Sequence, residues 1–248
     1  MTAHPRVLDF DSFEVMSFDC YGTLIDWESG ILAALRPVLG RHGKTLSDEE
    51  TLGLFAELEP VIQQGDYAAY RDVLGSVVVQ IGRRLGFVPS VSEVACLANS
   101  VADWGAFPDT VEALHSLARR YKLAVISNTD DDLFASSAAQ MTVDFEWAIT
   151  AQQAMSYKPS LDVFQLALDI FGTKPQRVLH VGQSLYHDIA PARQLGMATV
   201  WVNRRRDREG SGATLAASVT PDLEVPDLKT LASLVALPAE LQTGPAAS

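Results

Sequence analysis

Cysteine is scarce in this chain of 248 residues, with Cys20 and Cys96 the only two. Two thiols cannot build a disulfide framework or a four-thiolate metal site, so both are read as buried free thiols. Basic residues are also few, 19 Lys and Arg against 31 Asp and Glu, which leaves a formal charge of -12. That balance excludes a uniformly basic surface and argues against nucleic acid or an anionic membrane as partner. No apolar stretch approaches the roughly 20 residues that a spanning helix needs. The opening MTAHPRVLDFDSFE lacks the apolar run of a secretory signal, so a cytoplasmic protein without membrane attachment is expected. The final TGPAAS has the composition of a disordered tail.

What is abundant is apolar residues, 48% of the chain, enough for one large domain or one domain carrying an insertion. Four short apolar runs end in small or polar residues: Val15 to Phe18 before Asp19, Leu123 to Ile126 before Ser127, Val178 to Val181 before Gly182, and Ala198 to Val202 before Asn203. Buried parallel strands read this way when their carboxyl ends open onto a site. Helical patterns lie between them. Val111, Leu114, Leu117 and Tyr121 share one face, as do Leu161, Phe164, Leu168 and Phe171. Strand and helix in alternation predict an α/β fold, a doubly wound, Rossmann-like parallel sheet.

Between the first and second runs lie about 80 residues, too many for a loop of a compact domain. Their apolar spacing is helical, with Leu54, Phe55, Leu58 and Ile62 in one segment and Tyr70, Val73, Leu74, Val77, Ile81 and Leu85 in another. Ser47 with Glu50 and Ser90 with Glu93 have capping-box spacing, and Gly86 stands where a left-handed helix stop belongs. The prediction is an inserted all-helical cap over 28–104 on a core formed by 1–27 and 105–248. Gly30 and Pro108 are expected as hinge neighbours.

The segment Phe18-Asp19-Cys20-Tyr21-Gly22-Thr23-Leu24 sets a carboxylate at the end of a buried strand, before a flexible glycine turn. A carboxylate there can attack carbon or phosphorus and form an ester or acyl phosphate. With Ser127-Asn128, Lys158-Pro159 and Gly182 to Asp188 following in order, the chain resembles the haloacid dehalogenase superfamily, whose helical cap falls between its first and second motifs. The resemblance implies Asp19 as nucleophile, Thr23 and Ser127 as donors to it or to charged substrate oxygens, Lys158 as the neutralising cation, and Asp188 as the residue that orients or deprotonates water. Asn128 and Ser184 are expected as polar substrate contacts. Taken singly, each has a plainer reading as a turn former, a helix cap or a helix start.

The superfamily's phosphatases carry a second Asp two residues after the nucleophile, to protonate an alkoxide near a magnesium ion. Here Tyr21 stands there, and Asp19-Cys20-Tyr21-Gly22-Thr23 is similar to the Asp-x-Tyr-Gly-Thr of the type II, L-2-haloacid dehalogenase branch. A halide leaves as a stable anion and needs no acid. The expectation is therefore a hydrolase acting on a small anionic 2-haloacid through an aspartyl ester, with no cofactor and no metal. The alternative is a phosphatase with Mg²⁺ on Asp19 and Asp188. The resemblance is incomplete. Gln183 and Leu185 replace the branch's Ser and Asn, Phe164 replaces a Tyr, and no cap arginine aligns in Ala56-Glu57-Leu58-Glu59. Arg71 is the nearest candidate to receive the halide, and an exposed, paired helix charge is its other reading.

Around these residues, His187 is a candidate proton carrier and His180 a satisfied core histidine. Trp27 and Trp104 flank the cap junctions, and their aromatic rings suit packing or a cavity wall. Asp130-Asp131-Asp132 favours a helix start through the helix dipole. Arg204-Arg205-Arg206-Asp207-Arg208 is read as a solvated loop. A homodimer is left open.

Overall fold

The computed structural model describes residues 8–206 and 212–236. The tail TGPAAS, Arg208 and the first seven residues of the opening segment lie outside them. Six strands, β1 (Val15–Phe18), β2 (Lys122–Ser127), β3 (Trp147–Thr150), β4 (Val178–Gly182), β5 (Ala198–Val202) and β6 (Leu223–Val225), form one sheet in the order β3-β2-β1-β4-β5-β6. All neighbours are parallel, with Phe18 beside Val125 on one side and Val181 on the other. The order reverses between β1 and β4, the switch point at which open α/β sheets bind ligands.

The apolar runs become strands because every second side chain enters a different packed layer. Met16, Phe18, Leu123 and Val125 join one buried cluster, whereas Val15, Ala124 and Ile126 join a second with Val163, Phe164 and Ala167. The sequence pattern misses β3 and β6, which lie at the two sheet edges. Trp147 and Ala148 are only half-buried and β6 has three residues, so neither gives a continuous apolar run.

Between β1 and β2 come α1 (Trp27–Arg41), α2 (Asp48–Gln63), α3 (Tyr70–Leu85), α4 (Val91–Val94), α5 (Cys96–Ser100) and α6 (Thr110–Leu117). No β-strand occurs among residues 28 to 104. Both capping boxes form, Ser47 with Glu50 and Ser90 with Glu93, and Gly86 ends α3 with φ +76°. In α2 the buried face is Thr51, Leu52, Phe55, Ala56, Glu59 and Pro60, while Leu54, Leu58 and Ile62 are only half-buried. The expected face is thus turned, and it carries a carboxyl group inward. Of the two cysteines, Cys20 is buried and Cys96 half-buried, and both are free.

The helical insertion and the sheet share one apolar cluster, in which Phe18 and Leu24 join Ile31, Phe55, Leu74 and Val77. At the seam Gly30 lies inside α1, and a Cβ on it would come within 2.3 Å of the Trp104 ring. Close packing against Trp104 accounts for that glycine. Trp104 also meets Tyr21 edge to face, with centroids 5.5 Å apart.

Two further ties cross the seam. Asp130 precedes α7 (Asp131–Met141) and makes no side-chain cap bond to it. Its carboxylate instead accepts from Tyr70 N at 2.7 Å and Arg71 N at 3.1 Å, capping α3, whose own first-turn neighbour Ala69 has no capping oxygen. Asp131 and Asp132 do lie in the first turn of α7. The arginine run is not a solvated loop throughout. Arg204 donates from Nη1 to Asp109 and from Nη2 to the Thr23 carbonyl, each at 2.7 Å, while its guanidinium stacks 4.0 Å above the Phe107 ring. Arg205 pairs with Glu28 at 2.7 Å and Glu49 at 3.1 Å. Arginines so close to acidic partners and an aromatic face are drawn in despite their charge.

Candidate active site

The carboxyl ends of β1, β2 and β4 converge. Asp19 follows β1, Ser127 ends β2, and Gly182 ends β4. Lys158 enters from the loop between α8 (Ala151–Ala154) and α9 (Leu161–Phe171). Local sequence makes the convergence possible at two glycines. Gly22 has φ +92°, and a Cβ there would come within 2.9 Å of Trp27 Nε1. A Cβ on Gly182 would lie 2.5 Å from Asp188 Cβ, so glycine is what lets the Asp188 side chain lie over the strand end.

Lys158 Nζ donates to Asp19 Oδ1 at 2.8 Å, to Asp188 Oδ1 at 2.6 Å and to the Ile126 carbonyl at 2.8 Å. All three ammonium protons have acceptors, as a cation that is 1% exposed requires. Thr23 Oγ1 donates to Asp19 Oδ2 at 2.8 Å and accepts from Gln183 N at 2.9 Å. Burial pushes the Asp19 carboxyl up to about 6, against the pull of Lys158 and with the push of Asp188. Asp188 goes the other way. Burial would raise it, but Lys158 and His180 hold it well below the usual carboxylate range. Lys158 in turn is raised by both carboxylates against burial. His180 Nδ1 lies 2.9 Å from Ser17 Oγ and Nε2 lies 3.3 Å from Asp188 Oδ1. The expected core histidine is satisfied, and it also steadies Asp188.

A cavity of about 30 Å³ lies above these groups, lined by Asp19, Tyr21, Ser127, Asn128, Lys158, Ser184 and Asp188 among others. The sequence-predicted residues therefore meet there, Arg71 and Thr23 apart. Thr23 is buried against Asp19 and holds the carboxylate from below. Arg71 lies outside, half-exposed, paired with Asp130 at 3.3 Å and Asp132 at 2.6 Å. Asn128 is occupied at both ends of its amide by the Lys158 backbone, giving to the carbonyl at 3.0 Å and accepting from the N–H at 2.7 Å. Ser184 Oγ accepts from His187 N at 3.0 Å and caps the turn that carries His187 and Asp188. The Tyr21 hydroxyl lies 3.0 Å from Ser137 Oγ, and burial raises the phenol far above its usual range.

Three buried polar atoms at this cavity have no partner among the described residues: Ser127 Oγ, His187 Nε2 and Asp188 Oδ2. Burial takes His187 down to about 4, so its ring is neutral at pH 7. Unsatisfied groups in a dry site are costly unless a ligand or water meets them. Sequence reasoning missed a further lining residue, Glu59 of α2. Its signal was spacing alone, a carboxylate four residues after the core residue Phe55 and hence on the same helix face.

The residues do not form a dedicated divalent-cation site. Asp19 and Asp188 both bind the Lys158 ammonium, and among the described residues no group of three or more His, Cys, Asp or Glu is placed to hold a metal. Among those residues no helix is long and apolar enough to cross a membrane.

A lysine-paired carboxylate at a sheet switch point, shut in by a helical insertion, is the layout of a capped α/β hydrolase. Residues 13–196 match the family model of the haloacid dehalogenase-like hydrolases, and the chain belongs to that family of hydrolases. It is 25% identical to haloacetate dehalogenase H-2 of Moraxella sp. (strain B) over 90% of this chain and 98% of that protein. It is 31% identical to a glyceraldehyde 3-phosphate phosphatase of Methanothermobacter thermautotrophicus over 75% of this chain and 84% of that one. Its fold resembles a solved L-2-haloacid dehalogenase from Xanthobacter autotrophicus with chloropropionic acid covalently bound. That likeness has TM-score 0.75 at 22% identity and covers 90% of this chain and 98% of the other.

Proposed function

We propose that this hydrolase is a 2-haloacid dehalogenase. One Asp19 oxygen attacks the halogen-bearing carbon, the C–O bond forms, and the carbon–halogen electron pair leaves with the halide. Water then adds at Asp19 Cγ as one of its protons passes to Asp188, and the acyl C–O bond breaks. The alkoxide takes that proton back from Asp188, and the 2-hydroxyacid departs with its oxygen taken from Asp19, whose carboxyl releases the remaining proton to solvent. Lys158 and Thr23 orient the nucleophile. Asp188, through the oxygen that lacks a partner among the described residues, orients the water and takes its proton. Ser127 Oγ and His187 Nε2, also without partners among the described residues, are donors available to the substrate carboxylate. Helices α1 to α5 act as the cap.

The observation that carries this reading is the pair Asp19 and Tyr21. The nucleophile is held at both oxygens, and the side chain two residues on is a neutral phenol committed to Ser137. The similarity to haloacid dehalogenases along nearly the whole chain supports it. A phosphatase stays the second reading because of the glyceraldehyde 3-phosphate phosphatase relative. The test is a paired screen, with halide release from 2-haloacids and phosphate release from sugar phosphates measured with and without chelator. Halide release indifferent to chelator is expected. Phosphate release that the chelator abolishes, without halide release, replaces the reading with the second.

A further inference from the structure

In-line displacement sends the leaving group away from the nucleophile. Asp19 and Lys158 belong to the sheet side of the cavity, so the leaving atom moves toward the wall that the helical insertion supplies. That wall consists of Trp27 at the start of α1, Glu59 of α2 and Tyr70 of α3. Among them Glu59 alone has a carboxyl. It is 4% exposed, and Tyr70 Oη lies 2.9 Å from its Oε1. That bond engages one oxygen, Gln63 lies beside the same carboxyl, and the side chain lines the cavity.

Charge decides the state in which Glu59 acts. The groups facing the cavity are Asp19, Asp188 and Lys158 from the sheet side and His187 beyond β4. Tyr70 from α3 and Tyr157 from the loop before Lys158 face Glu59 itself. With Asp19 and Asp188 ionised and Lys158 charged, this set is one negative charge in excess before any anion enters. A third buried carboxylate, beside an anionic substrate, has no further cation among the described lining residues to meet it, and the neutral acid is the form that fits. Burial moves Glu59 the same way, up to about 7.

We propose that the Glu59 carboxylic acid is the hydrogen-bond donor that receives the departing halide. This rests on the dehalogenase reading above. The C–halogen bond breaks with its electron pair on the halide, the O–H of Glu59 points at that anion, and the proton stays on Glu59. Ionised, the same side chain would repel both the substrate and the product anion. Glu59 is thus the group that lets an acidic cavity accept an acid and release a second anion.

The experiment measures halide release from 2-chloropropionate and from fluoroacetate between pH 5.5 and 9 for wild type, E59Q and E59L, with thermal unfolding of each. For wild type, kcat/KM falls about tenfold per pH unit above pH 7, while the corresponding limb in kcat moves to higher pH, because bound anion favours the neutral acid. E59Q keeps a neutral N–H donor and loses the alkaline fall. E59L loses about 10- to 100-fold in kcat at every pH, the range of one hydrogen bond to a charged group. An E59L enzyme with wild-type kcat and pH profile overturns the proposal, as does E59Q, folded, that is as slow as E59L. Wild type that releases halide from no 2-haloacid overturns the dehalogenase reading itself, a result separable from any Glu59 variant.

Discussion

The floor and the roof of the cavity are built on opposite principles. The floor, at the strand ends, is charged and saturated: Lys158 gives every proton to Asp19, Asp188 or the Ile126 carbonyl. The roof, made of helices, sets one carboxyl against one phenol, Glu59 and Tyr70, joined to each other and backed by the apolar cluster. The difference teaches that burial alone does not set ionisation. Asp19 and Asp188 are both buried next to the same ammonium, yet one rises to about 6 and the other falls. Asp188 has His180 as a second donor, and Asp19 has in that place the threonine hydroxyl and the repulsion of Asp188. In the proposed reaction Asp19, the more basic carboxylate of the two, is the one suited to attack, and Asp188, which stays ionised, is the one suited to hold water.

The sharpest way to break this contrast is at Asp19. Asp19→Asn is expected to lower turnover at least about 10³-fold, since no covalent ester forms. The same variant tests the charge argument. Because burial raises the native carboxyl to about 6 above its ordinary 3.8, ionisation costs the folded state, and the cost appears as pH rises from about 4 to 6. Asp19→Asn is therefore expected to gain about 3 kcal/mol over wild type at pH 8 and to match it at pH 4, read from denaturant midpoints. Equal curves at both pH values would contradict the raised carboxyl.

Lys158→Met empties the centre of the floor. Two buried carboxylates then lack their cation, and the expected loss is about 3–5 kcal/mol at pH 8, smaller at pH 5 where Asp19 takes up a proton. Calorimetry at the two pH values reads the difference. Asp130→Ala addresses the tie between floor and roof. Two backbone N–H groups at the start of α3 lose their acceptor, at about 1–2 kcal/mol, and the displaced Tyr70 is expected to raise KM more than it lowers kcat. The smallest effect belongs to Arg71→Ala. Its half-exposed pairs contribute at most about 1 kcal/mol, and halide release should stay within about twofold. A loss of 100-fold there would restore Arg71 as the halide acceptor.

Legibility differed between the two halves in the same sense. The floor lay in four short segments, three of them strand ends with a polar stop, which the structure gathers because parallel strands align their carboxyl ends, and the fourth, Lys158-Pro159, in the loop before α9. Asn128 and Ser184 were found by position, but what they hold, the Lys158 backbone and the His187 turn, depends on loops that only the fold brings together. Glu59 was hidden inside an acidic stretch that reads as a solvated helix face, and the rotation of α2 about its axis decides which of Glu57 and Glu59 points inward. Arg204 and Arg205 were hidden likewise, because a basic run reveals its partners only when Asp109, Glu28 and Glu49 arrive from far along the chain.

By itself the sequence determined the parallel sheet, the long helical insertion and the carboxylate after the first strand, because these follow from periodicity and local chain stops. Tertiary structure alone decided which carboxyl group is basic, which acid faces the nucleophile and which arginines are buried. Those properties depend on distances between segments and on the exclusion of water, and neither is encoded in any one stretch of chain.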